Sequence, residues 1–331
     1  MPDLPLVSIV TPSYNQAAYL EQTICSVLDQ DYPNLEYFVI DGASSDSSVE
    51  IIQRYAHRLK GWVSEKDSGQ AEAINKGLVQ SGGEIIAWLN SDDFYLPGAI
   101  TAAVEALQAH PDWGLVYGDM LAVDGQGGLL NIQRFGDWGL EDLMCYKILG
   151  QPAVFMRRRA LQRAGLLDTR FHYMLDHHLW LRIASAYPIG YVPHLLSAAR
   201  FHAGAKNIAR APDFGKDAWE VYRWMQSQPD LAPSFIRLRK KILAGVYWVN
   251  GRYFSEGGMP VPALKAFLHS FLAYPPTVLR DWRRVLFTLV QLAGGEALKQ
   301  SYYRRRARHQ IDSLPPQLAE KLGLSYKGDN Q

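Results

Sequence analysis

The run Glu84-Ile85-Ile86-Ala87-Trp88-Leu89-Asn90-Ser91-Asp92-Asp93 decides how this chain is read. After Glu84 it holds five apolar residues, too few for a helix and right for a short strand buried on both faces. Two adjacent carboxylates stand where that strand ends, and Phe94-Tyr95-Leu96-Pro97 then leads into a helix expected over Pro97 to His110. In an open α/β sheet, ligands bind at the carboxyl ends of the strands. A carboxylate pair placed there is a candidate site for a hard divalent cation carrying a phosphate group. The competing reading is that Ser91 and Asp92 cap the helix that follows.

Upstream, the same pattern recurs. Leu6 to Val10 is a β-branched run that ends in Thr11-Pro12-Ser13-Tyr14-Asn15. Leu35 to Ile40 ends in Asp41-Gly42-Ala43-Ser44-Ser45-Asp46, and Trp62 to Ser64 ends in Glu65-Lys66-Asp67-Ser68-Gly69. Helical patterns over Ala18–Gln30, Ser48–Arg58 and Gln70–Gln80 separate these strands. Alternation of this kind predicts an α/β fold with a mainly parallel sheet flanked by helices. Every strand then delivers a carboxylate or small polar group to one edge, which makes that edge a nucleotide-diphosphate and metal crevice. Taken alone, Asp41 reads as a plain Asp-Gly turn and Asp67 as a turn that starts a helix; it is their recurrence at nearly every strand end that points to a site.

Composition narrows the class. The chain has 331 residues, 48% hydrophobic and 20% charged, ample for a core without a structural metal or disulfide. Its two cysteines, Cys25 and Cys145, read as small hydrophobes, with a reducing compartment expected. No apolar stretch is long enough to span a bilayer, and the amino terminus lacks a signal-peptide core, so a cytoplasmic protein is expected, free or peripherally bound. The net charge of +1 hides a split. Residues 1–199 hold 13 Lys and Arg against 23 Asp and Glu, a formal −10; residues 200–331 hold 21 against 10, a formal +11. Two common phosphate cradles are missing: no G-x-G-x-x-G follows the first strand and no G-x-x-x-x-G-K-[ST] occurs. A dinucleotide dehydrogenase or a P-loop enzyme is thereby disfavoured.

Val7 to Asn15, Val39 to Asp46, the segment Glu65 to Gly77 and Asn90-Ser91-Asp92-Asp93, in this order, resemble the family 2 glycosyltransferases of bacteria, over roughly residues 5 to 205. The resemblance implies a GT-A type, Rossmann-like fold and inverting transfer of a sugar from a nucleotide-diphospho-sugar, most commonly a UDP-sugar, with Mn²⁺ or Mg²⁺. By the same resemblance Asp41 contacts the base beside Pro12, Ser13 and Tyr14, and Asp67 lies near the nucleoside. Asn90 and Ser91 accompany Asp92 at the ribose, and Asp92 and then Asp93 hold the metal. The family's D-x-D begins with Asn90 here, which can hydrogen-bond a ribose hydroxyl but carries no charge.

Further along, Leu115 to Met120 and Leu129 to Phe135 read as strands around the turn Asp124 to Gly128, and Gln151 to Arg158 resembles the family strand entering the acceptor site. Tyr173 to Arg182 opens a helix at Asp176, with Leu179, Trp180 and Ile183 on one face. Asp176 is either an N-terminal cap or, by the resemblance, the general base that takes the acceptor hydroxyl's proton. His177 and His178 are expected at the surface or against acceptor, and His202, in Ala199 to Gly204, is the candidate third metal ligand.

From Pro212 onward the pattern turns to helices with aromatic faces. The expected division is a catalytic domain over 1–205 and a basic, mostly helical region over 206–331. The cluster Tyr302 to Arg308 suits an inner-leaflet contact or a polyanionic or lipid-linked acceptor; no nucleic-acid-binding module accompanies it. A saccharide or lipid-linked acceptor in polysaccharide or glycolipid assembly is therefore expected. The rivals are a nucleotidyltransferase of related fold and a non-catalytic scaffold that keeps the fold.

Overall fold

The computed structural model describes residues 4–202, 204 and 210–292. Nine strands form one sheet in the order β3-β2-β1-β4-β8-β6-β9-β5, with β7 paired to β6. The first four are β1 (Val7–Ser13), β2 (Leu35–Asp41), β3 (Gly61–Ser64) and β4 (Ile85–Trp88), all parallel to one another. Beyond them the sheet is mixed. β8 (Val154–Arg157) runs antiparallel between β4 and β6 (Leu115–Asp124), while β9 (Ile189–Phe201) runs parallel to β6. β5 (Phe94–Tyr95) and β7 (Leu129–Gln133) are antiparallel additions.

Alternation along each strand explains the continuous apolar runs. In β4 and the residue after it, Ile85, Ala87 and Leu89 enter one core while Ile86 and Trp88 enter the other. A strand buried on both faces has no polar side to show. The first core lies under α1 (Ala17–Leu28), α2 (Ser48–Tyr55) and α4 (Ala99–Ala109). The second lies under α3 (Gln70–Gln80), α6 (Arg158–Ala164) and α7 (Leu175–Ala184), which follow the short α5 (Leu140–Met144).

The second core continues into α8 (Ala211–Ser227) and α9 (Ala232–Glu256), after which come α10 (Pro260–Ala273), α11 (Pro275–Leu279) and α12 (Trp282–Leu292). Phe214, Val221, Phe235, Ile242 and Val249 are buried in one cluster with Tyr146, Leu175 and Leu179. One apolar core is thus shared by elements before residue 202 and by helices after residue 210. The basic cluster Tyr302 to Arg308 lies outside the described residues.

Helix α4 corrects the capping reading of the acidic turn. Its N-cap is Gly98, in the left-handed region at φ 78°, with no side-chain cap. Between Asp93 and that helix, Phe94 and Tyr95 form β5 against Ala198 and Ser197 of β9. Pairing with the sheet moves the helix start downstream, so Ser91 and Asp92 are released from capping. Cys25 and Cys145 are both free. Among the described residues, no helix is long and apolar enough to cross a membrane.

Candidate active site

Strand order reverses at β1, which has β2 on one side and β4 on the other. A crevice opens at the carboxyl ends of strands where the order reverses in this way. Ser13 to Asn15 leave β1 there, and Asn90 to Asp93 leave β4. The Gly42 N–H bonds the Ser13 carbonyl at 2.8 Å, holding the first two strand ends together. A Cβ on Gly42 would stand 2.7 Å from the Asp67 carboxylate and 3.4 Å from the Tyr14 ring. Tyr14, Gly42 and Asp67 therefore converge, and the position has no room for a side chain.

The loops around this point are latched by side chains. Asn15 and Ala43 both sit in the left-handed region, at φ 52° and 62°. Conformations this rare for residues other than glycine persist only where surrounding contacts fix them. Here the Asn15 N–H donates to Ser44 Oγ (2.8 Å) and the Ser45 N–H donates to Asn15 Oδ1 (2.8 Å). Asp41 is fully buried and accepts from the Ser44 N–H (2.9 Å), Ser44 Oγ (2.5 Å) and Ser64 Oγ (2.7 Å). Those contacts use three of its roughly four acceptor positions. Pro12 and Ser13 are buried beside it, whereas the Tyr14 ring is 63% exposed and free to stack. Asp67 accepts the Gly69 N–H at 2.9 Å, which shapes its own turn.

In the acidic turn the two carboxylates face opposite ways. Asp93 is buried: one oxygen accepts the Arg200 N–H (2.9 Å) and the other accepts from the Asn90 side chain (3.2 Å). Burial, and then the neighbouring Asp92 charge, push its pKa well above the usual carboxylate range. Asp92 is the outward member, 3.1 Å from His202 Nε2. Of the three expected metal ligands, then, Asp92 and His202 are brought together, while Asp93 is engaged in holding the turn. Ser91 is buried, and its carbonyl accepts from the Thr23 hydroxyl at 2.9 Å. The Asn90 side chain, expected at a ribose, is occupied within the protein: it accepts from Gln70 (2.7 Å) and donates to Gln151 (3.1 Å) as well as to Asp93. Among the described residues, no group of three or more His, Cys, Asp or Glu side chains gathers as a metal cage.

Arg200 organises this turn and was not singled out from the sequence. It is buried and donates to the carbonyls of Asp92 (3.0 Å) and Asp124 (3.2 Å), with its guanidinium 4.7 Å from the Tyr19 ring centroid. The same Tyr19 ring packs on His202 at 4.7 Å. Arg200 stands two residues before His202 and so shares its side of an extended chain, a spacing that could have drawn attention to it.

Asp176 enters from the second core. Trp180, one helical turn on, stacks against Trp88 at the end of β4 with ring centroids 5.0 Å apart. That contact fixes α7 beneath the acidic turn. Burial raises the Asp176 pKa to about 6, against a partly opposing hydrogen bond from the His177 N–H (2.7 Å). The loop before α7 is held by Asp217 of α8, whose carboxylate oxygen accepts the N–H groups of His172 (2.9 Å), Tyr173 (2.7 Å) and Met174 (3.2 Å). Nothing in the sequence near Asp176 pointed to Asp217, which reaches it only through tertiary packing. His177 and His178 are a correction: both are buried, not superficial. They sit among aromatic rings, His177 on Tyr146 and His178 on Phe171 and Trp224, because α7 is covered by α8 and α9. Burial lowers their pKa values to about 4 and about 3, so both stay neutral.

Comparison with known proteins gives these positions a context. Residues 8–143 match the glycosyl transferase family 2 model, 136 of the 331 residues. A teichuronic acid biosynthesis glycosyltransferase of Bacillus subtilis, TuaG, is 44% identical over 92 residues, 27% of this chain and 36% of that protein. The chain spans between 36% and 38% of the length of three such curated relatives. The fold resembles TarS of S. aureus, solved with UDP-GlcNAc (TM-score 0.57, 16% identity, 84% of this chain and 92% of that one). It also resembles the mannosyltransferase PcManGT of Pyrobaculum calidifontis, solved with GDP-Man and Mn²⁺ (TM-score 0.57, 21% identity, 99% and 88%). The GT-A type architecture expected from the sequence is therefore the one observed.

Proposed function

We propose that this glycosyltransferase moves a sugar, with inversion, from a nucleoside-diphosphate donor to a hydroxyl of a saccharide or lipid-linked acceptor. The observation that carries the reading is the joint position of two groups. Tyr14, Gly42 and Asp67 converge at the ends of β1 to β3, and Asp92 leaves the end of β4, the neighbour of β1. Near the β4 end, Trp180 anchors a helix bearing Asp176, a half-buried carboxylate whose pKa is raised to about 6 by desolvation.

The base lies on the exposed Tyr14 ring, with Asp41 and Asp67 setting the loops that frame it. Asp92 and His202 offer one oxygen and one nitrogen donor 3.1 Å apart, a pair suited to Mn²⁺ or Mg²⁺ when diphosphate and water complete the coordination. When bound, the ion offsets the charge that develops on the departing diphosphate. Asp176 accepts the acceptor's proton as its oxygen attacks the anomeric carbon from the face opposite the leaving group. A carboxylate poised near pH 6 is a stronger base than an exposed one and still ionised at pH 7. UDP is the first donor base to try, and surface polysaccharide or glycolipid assembly is the setting, with peripheral contact at the inner membrane face.

The test is a donor screen: nucleotide-sugars with Mn²⁺, following nucleoside diphosphate release with and without chelator. Release from one donor class that collapses with chelator supports the reading. No binding or turnover with any donor would sink it in favour of a non-catalytic scaffold.

A further inference from the structure

Helix α12 is mounted the wrong way round for a surface helix in water. At about 100° per residue, Arg284, Thr288 and Gln291 share one side of it, and Trp282, Leu286 and Leu289 share the opposite side. The polar side faces inward. Thr288 is fully buried and pairs with Ser255 Oγ (2.8 Å), Gln291 donates to the Ser255 carbonyl (3.2 Å), and Arg284 pairs with Glu256 (2.9 Å). The apolar side faces out, with Trp282 54%, Leu286 49%, Leu289 46% and Leu292 51% exposed. Leu272 and Leu279 on the adjoining helices are also exposed. Apolar burial normally sets a helix's orientation, so a helix that buries its threonine and shows its leucines has an outward partner to satisfy.

We propose that this face seats on an anionic bilayer surface, which deepens, and rests on, the lipid-linked acceptor reading above. Charge selects that occupant. Arg280 and Arg283 are exposed beside the apolar stripe, and neither has an ion-pair partner among the described residues. A second copy docked face to face would set these arginines against their own counterparts. The remaining residues of this chain, 293–331, hold 7 Lys and Arg against 4 Asp and Glu, so they too are poorly matched to an arginine-flanked face. They suit the same anionic partner instead, since Lys299 and Arg304 to Arg306 come within fourteen positions after Leu292 in the sequence. An apolar stripe with Trp282 at one end and flanking arginines fits a helix lying in the headgroup layer.

The full-length protein should be mixed with extruded phosphatidylcholine vesicles, with and without phosphatidylglycerol, and sedimented. Binding is expected to need the anionic lipid and to fall with salt. Arg280→Gln with Arg283→Gln should weaken it by roughly 25-fold, about fivefold per arginine. Leu286→Glu with Leu289→Glu should abolish it, and both positions are exposed enough to change without unfolding. Donor turnover in solution should be unchanged in each variant, so failure here is separable from failure of the glycosyltransferase reading. Equal binding to neutral vesicles, or a Leu286→Glu, Leu289→Glu variant that binds as the parent does, overturns the proposal. So does a dimer in solution that the same pair of substitutions converts to monomer, which would assign the face to a second copy.

Discussion

Replacing Asp176 by Asn separates a half-buried general base from a structural carboxylate. Burial raises this group from 3.8 to about 6. As pH rises the unfolded chain therefore loses its proton before the folded one does. The folded state is penalised progressively between about pH 4 and pH 6, and carries the full penalty at pH 7. A displacement of about two units corresponds to about 3 kcal/mol. Asn keeps the shape and cannot ionise, so Asp176→Asn should be more stable than the parent at pH 7, by up to about 3 kcal/mol. That advantage should vanish below pH 4. Thermal unfolding followed across that range reads the difference directly, and a gain of this size corresponds to roughly 4 °C. Transfer should be lost while calorimetric donor affinity is kept. In the parent enzyme, kcat/KM should rise about tenfold between pH 5 and pH 7, following the ionised fraction of a group near pH 6. A stability difference that does not change with pH would refute the claim that the carboxylate is desolvated. Loss of donor binding would remove its role as a base.

Three further substitutions probe the supports. Arg200→Gln leaves buried carbonyls at the acidic turn without their donor, at a cost of about 1–3 kcal/mol each; unfolding should come earlier and donor affinity should fall, and unchanged donor affinity would contradict its placement. Asp217→Ala frees three N–H groups in the loop before α7, so kcat should drop while donor KM stays within about twofold, with Asp217→Asn partly restoring kcat; a rise in donor KM alone would count against this. Gly42→Ala places a methyl 2.7 Å from the Asp67 carboxylate; donor KM should rise about tenfold or more, worth about 1.4 kcal/mol, and a normal KM would mean the crevice lies elsewhere.

The parallel half of the fold was legible because its strands and helices differ sharply in period. The helix expected over Gln70–Gln80 is the one observed, and the strand ends fall where the polar turns stand. Orientation within the turns was not legible. Asp92 and Asp93 are equivalent in sequence, and only the pairing of Phe94–Tyr95 with β9 turns one outward and the other in. His177 and His178 read as polar residues, yet α8 and α9 bury them, and no local pattern around residue 177 announces helices packed from beyond residue 210. Arg200 and Asp217 were hidden for the same reason: each acts on backbone groups distant in sequence, and backbone groups leave no signature in composition.

Asn90 gains a physical explanation from these placements. Its side chain bridges Gln70, Gln151 and Asp93, donating to the last two. An Asp at this position would lose both donations and stand beside Asp93, whose buried carboxylate already carries a pKa raised by burial and by Asp92. Like charges so close disfavour joint ionisation, so a third acid would push Asp93 further toward its neutral form and weaken its bond to the Arg200 N–H. The uncharged residue keeps Asp93 available as the acceptor that fastens the turn to β9. Of the two acids only Asp92 is then left facing outward, with His202 beside it as in the proposed metal pair. On this account Asn90→Asp should lower stability without strengthening Mn²⁺ affinity. A variant that bound Mn²⁺ several-fold more tightly at unchanged stability would show that position 90 faces the metal after all.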